Sequence, residues 1–164
     1  LQQFGFTLQS SIKDFLIKTE YGYLNFLGSL NSVSQKDHSQ VAVGSEYTYY
    51  HPNKFESVFI LEYQIIPGLS QSQRSSLSFF QNDLLVGYIL KFNNSKSTQL
   101  QWFTFKDFDI DNEYLIAINL SQRFFDIIKG NVGLQWIYSD NYQSVGLNSV
   151  QTADYAFIEL KYFF

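Results

Sequence analysis

The sequence predicts an all-β fold, an antiparallel up-and-down barrel that crosses a membrane with its strands, and three observations predict it. Apolar and polar residues alternate with period two through nine segments, the pattern of strands with one apolar and one wet face. The connections between these segments alternate between short and mostly long, as they do when one rim of a barrel carries turns and the other carries loops. Aromatic residues make up 19% of the chain and charged residues only 16%, against about 25% charged in ordinary soluble domains. Mean hydropathy is nonetheless slightly negative. The longest apolar run, Leu84–Leu90, falls far short of the ~20 residues of a membrane helix.

In order, the segments are 3–11, 15–26, 40–50, 57–66, 81–92, 98–107, 113–124, 129–139 and 154–164, within a single domain spanning 1–164. The second shows Phe15, Ile17, Tyr21 and Tyr23 on one face, and the fourth shows Phe59, Leu61, Tyr63 and Ile65. Leu84, Val86, Tyr88, Leu90 and Phe92 mark the fifth. Tyr114, Ile116, Ile118 and Leu120 mark the seventh, and Val132, Leu134, Trp136 and Tyr138 the eighth. The opposite faces carry charged and amide residues, with Gly22, Gly44, Gly87 and Gly133 among them. Short connections fall around Ile12–Asp14, His51–Glu56, Asn93–Ser97 and Phe125–Ile128. Leu27–Ser39, Pro67–Phe80, the tighter Phe108–Asn112 and Ser139–Ala153 lie between them. Pro52 and Pro67 both sit in connections, where a missing N–H breaks no ladder. No stretch has a convincing helical period.

Bacterial barrels carry an even number of strands. The nine segments are therefore expected to be the C-terminal part of a larger barrel whose N-terminal strands precede them. Tyr47, Tyr49, Tyr50, Trp136, Tyr138 and Tyr162 cluster near segment ends, where amphipathic rings would form aromatic girdles at headgroup depth. The last segment, Asp154–Phe164, alternates strictly and finishes on an aromatic residue. A naked aromatic edge invites aggregation, whereas a closed barrel pairs it. Tyr162 and Phe164 also resemble the C-terminal assembly signal of bacterial outer-membrane barrels, which the insertion machinery reads.

Four stretches extend the resemblance: Phe80–Gly87, the Thr98-Gln-Leu strand, the acidic hairpin Asp107–Asn112 and the terminal Asp154–Phe164. Through them, roughly residues 40–164 resemble the C-terminal part of a poorly characterised group of Gram-negative outer-membrane barrel proteins. The resemblance implies a barrel in the outer membrane and carries little biochemistry with it. Alginate-export and porin-type channels look similar in architecture. Anion-conducting pores of that kind line their lumen with many Arg and Lys, however, and this chain has only Arg74 and Arg123 as arginines.

The residues expected to line the lumen are Lys18, Glu20, Glu46, Glu62, Asp83, Lys91, Arg123, Glu159 and Lys161. Charges are cheap in a water-filled barrel, and the alternative is a network of ion pairs that plugs a narrow one. Five carboxylates against four cations predict a weak preference for cations. Asp107, Asp109 and Asp111, with Glu113 next in the series, are a weak candidate for a hard cation. The glycine and distal glutamate of a calcium loop are missing, so a solvated hairpin tip is the preferred reading. His38, placed in a long loop, and His51, in a short turn, are both expected to be solvated.

There is no cysteine, so disulfide and thiol chemistry drop out. The net charge of −4 argues against nucleic acid as a partner. No phosphate-cradling loop, zinc spacing or nucleotide fingerprint is present, so neither an enzyme nor a cofactor is expected. The expected function is passive, porin-like passage of small polar solutes through the bacterial outer membrane. Membrane lipid, lipopolysaccharide and the barrel-assembly machinery are the expected partners. One alternative is a non-conducting structural or binding barrel with functional surface loops, and another is a soluble all-β ligand-binding barrel.

Overall fold

A computed structural model describes residues 2–26, 37–78, 81–124, 127–139 and 154–164. Nine strands form one antiparallel sheet in which every strand pairs with its sequence neighbours. They are β1 (Gln2–Ile12), β2 (Phe15–Asn25), β3 (His38–Tyr50), β4 (Glu56–Ile65), β5 (Asn82–Lys91), β6 (Gln99–Asp107), β7 (Glu113–Phe124), β8 (Ile128–Ser139) and β9 (Tyr155–Tyr162). The predicted segments match these bounds to within two residues, because period-two patterning fixes strands directly. No pairing joins β1 to β9, so the sheet is open.

Register unites faces that each strand shows separately. Phe15 lies opposite Tyr47, Tyr47 opposite Phe59, Phe59 opposite Tyr88, Tyr88 opposite Trp102, Trp102 opposite Ile118 and Ile118 opposite Leu134. The mainly apolar faces of β2 to β8 therefore form one continuous face, which Ile12 of β1 and Ala156 of β9 extend at its two edges. Rings stack along the row, with centroids 4.6 Å apart for Phe15–Tyr47 and 5.1 Å for Phe59–Tyr88, spacings at which aromatic pairs attract. The face is open to its surroundings: Trp136 is 59% exposed and Leu134 56%. Tyr50 departs from the expected girdle, since it pairs with Glu56 on the opposite face.

Buried strand residues lie on that opposite face, Ser57 excepted: among them Val58, Asp83, Asp107, Glu113, Ser121 and Ile137. Among the described residues no second layer covers them, so the sheet curls with this face inward, as strand twist allows. Close packing marks the concavity. A methyl group at Gly87 would sit 2.8 Å from the Phe103 ring, and one at Gly133 would run into Phe157. Each glycine lets an aromatic ring lie flat across the inner face.

The Pro67–Phe80 connection contains one helix, α1 (Gln71–Ser75), which the alternation did not predict. Ser70 donates its backbone N–H to the Gln73 side chain at 3.1 Å, half of the reciprocal bonding that starts many helices. Phe80 and the segments 27–36 and 140–153 of the longer connections lie outside the described residues.

Candidate functional site

All nine residues expected to line a lumen lie on the concave face, as the register requires. They do not converge on one point. Lys18 pairs with Glu20 at 2.6 Å, Lys91 with Glu56 at 2.5 Å and Lys161 with Glu159 at 3.2 Å. The Arg123 guanidinium lies 5.9 Å from the Phe163 ring centre, within cation–π range. Glu56, Glu113 and Lys129 share this face and were missed, although the alternation places each of them there.

The inner face is electrically divided along the strands. At the long-connection end, Asp83, Asp107, Glu113 and Ser139 follow one another across β5 to β8. Asp83, Asp107 and Glu113 are 3%, 1% and 0% exposed. Neighbouring like charges repel, and burying them is costly unless they are bonded. Donors from the connections supply those bonds. Asp107 accepts backbone N–H groups from Asp109 and Ile110 at 2.6 and 3.1 Å, and the Gln81 side-chain amide at 3.0 Å. Asp83 accepts backbone N–H groups from Gln81 and Asn82.

Above this row the connections lock together. Arg74 of α1 forks onto Asp109 with two bonds of 2.6 Å and donates to the Leu69 carbonyl at 2.6 Å. Asn82 adds a 2.7 Å bond to Asp109, and Gln71 donates to the Asp109 carbonyl. Burial pushes the Asp109 carboxyl up, but the bonds from Arg74 and Asn82 and the Arg74 charge outweigh it and hold the carboxyl below its usual range. The Asp109 bond holds the Arg74 guanidinium above its usual value.

The acidic hairpin is thus not the solvated tip the sequence suggested. Asp107 faces backbone amides, Asp109 faces Arg74, and Asp111 is exposed. The three carboxylates that share a two-residue spacing point to three different environments, because the strand ends at Asp107. Among the described residues no group of three or more potential ligands is placed to hold a metal ion.

The histidines also depart from solvated loops. His38 opens β3, is buried, and lies with its ring centre 6.3 Å from that of Phe26. His51 Nε2 lies 2.8 Å from Ser57 Oγ, which lies 3.0 Å from the Tyr88 hydroxyl. Ser57 is only 2% exposed, so a substrate cannot reach it. The chain of polar groups satisfies a buried hydroxyl near the short-turn rim.

At the short-turn end the sign reverses. Arg123, Lys129 and Lys161 stand opposite one another across β7, β8 and β9. The class of protein this defines is an all-β, single-sheet protein with one apolar face and one charged, concave face. No family model, curated protein or solved structure matches the chain.

Proposed function

We propose that the chain builds part of the wall of a bacterial outer-membrane β-barrel that lets small polar solutes pass. One observation carries this reading: Lys106 is the sole charged residue among the described strand positions of the apolar face. A Lys at mid-depth against lipid costs ~2–4 kcal/mol, falling to ~0–1 kcal/mol near the interface. Lys106 is the penultimate residue of β6, at the end of its strand. Strand length agrees, since ~9–11 tilted residues span the hydrocarbon and β2, β3 and β7 have 11, 13 and 12. In a closed wall the free edges of β1 and β9 would be paired, by each other or by further strands.

The structural or binding barrel is the second reading, and the inner packing favours it. Phe103 over Gly87 and Phe157 over Gly133 take up interior space that an open pore would leave to water. Planar-bilayer recording of the full-length protein separates the two. Stepwise, ohmic conductance is expected of the channel. Stable insertion without conductance would overturn the channel in favour of the second reading.

A further inference from the structure

We propose that Asp83 and Asp107 hold one proton between them at neutral pH, and that this proton latches together the two connections above them. Asp83 on β5 stands directly opposite Asp107 on β6, and the two are 3% and 1% exposed. Glu113 follows on β7, also buried. Neither aspartate has a salt bridge among the described residues. The cation above them, Arg74, is forked onto Asp109. On β4, Gln64 lies opposite Asp83 and Glu62 comes next along the inner face, so that side brings no positive charge. Two carboxylates that share a site out of water do not both ionise, and one keeps its proton.

The hydrogen bonds locate it. Asp107 accepts three donors, the backbone N–H groups of Asp109 and Ile110 on Oδ1 and the Gln81 amide on Oδ2. Asp83 accepts two backbone N–H groups, both on Oδ2, and its Oδ1 is buried without a partner among the described residues. Gln81 is fully buried, its side-chain nitrogen is held at Asp107, and its side-chain oxygen is likewise unpartnered. Buried polar atoms rarely stay unsatisfied, and here two acceptors lack a donor. One proton on Asp83 Oδ1 makes that oxygen a donor. Turning the Gln81 amide over moves the shortage without removing it, because its oxygen would then face Asp107 Oδ2. Both orphaned oxygens are closed to solvent, and a proton needs no cavity.

The same bonds tie the proton to the rim. Gln81 ends the connection that carries α1, and Asp109 and Ile110 belong to the hairpin between β6 and β7. Removing the proton sets two like charges face to face and drives apart the two carboxylates and the backbone that each one holds. The latch stands on the fold alone, whether or not the wall encloses a channel.

The test is infrared spectroscopy of the folded full-length protein with carboxyl-labelled aspartate. A protonated-carboxyl band should be present at neutral pH, absent in Asp83→Asn and kept in Asp111→Asn, which alters an exposed carboxylate. Amide exchange then reads the latch. From neutral to alkaline pH the protection of Asp109 and Ile110 should fall about tenfold in the wild type, the worth of one hydrogen bond. It should stay level in Asp83→Asn, which keeps a donor without the charge. No protonated band, a band that survives in Asp83→Asn, or protection that changes equally in the two proteins would overturn the proposal. If Asp83→Asn does not fold, carbon NMR of the wild-type aspartate carboxyls decides. A protonated shift at Asp83 or Asp107 supports the pair, and two ionised carboxylates overturn it.

Discussion

The two ends of the concave face handle charge in opposite ways. At the long-connection end, Asp83, Asp107 and Glu113 are buried, and backbone amides, Gln81 and the Arg74–Asp109 fork surround the acidic groups with donors. At the short-turn end, Arg123, Lys129 and Lys161 stand side by side, with the Lys161 side chain 57% exposed. Burial makes an unbonded group costly, so the first group is largely bonded within the fold, with Asp83 Oδ1 left without a partner among the described residues. Exposure lets the second remain incompletely paired at small cost. The acidic end therefore reads as structure that fixes the connections, and the basic end as a face whose charges stay incompletely paired among the described residues.

The largest effect that would break this contrast belongs to the acidic end. Arg74→Ala leaves the half-buried Asp109 without its cation, an expected loss of about 2–3 kcal/mol, measurable by urea unfolding. Asp109 has a depressed pKa in the fold, so its contribution is present above its unfolded value near pH ~4. It is lost as pH falls through the lower folded value. Wild type should therefore lose stability in that acidic window, and Arg74→Ala should lose less there. Equal acid sensitivity of both proteins would remove the fork from the account.

Gly87→Ala comes next. The added methyl meets Phe103 at 2.8 Å and Ile60 at 3.1 Å, an overpacking expected to cost about 1–3 kcal/mol. Gly22→Ala, where nothing lies within 4 Å, should change stability by less than ~0.5 kcal/mol. Similar losses at both positions would argue against a tightly packed concave face. The smallest expected effect on stability is at the basic end: Lys129→Gln should shift unfolding by less than ~0.5 kcal/mol, because it relieves repulsion and breaks no ion pair among the described residues.

Strands and faces were legible in the sequence because both depend on residues two apart. The pairing of Lys129 with Lys161 was not, since it depends on the register of β8 against β9, which no single strand reveals. The same holds for Arg74 and Asp109, which meet across 35 residues of chain. The Ser70-x-x-Gln73 pattern after Pro67-Gly68 was a visible helix-start signal, and it was overlooked beside the stronger alternation. Asp107 misled for a related reason. Its neighbours in sequence suggest a solvated turn, while its neighbours in space are the buried Gln81 and Asp83.

The central claim is that the apolar face meets lipid, and both tryptophans report on it, since Trp102 and Trp136 lie on that face. Single-tryptophan proteins, made with Trp102→Phe or Trp136→Phe, can be refolded into vesicles whose lipids carry bromine at defined acyl depths. Strong quenching of both by brominated lipid, with little quenching by aqueous acrylamide, is the predicted result. Fluorescence insensitive to brominated lipid in the folded protein would contradict it and move the apolar face away from a membrane.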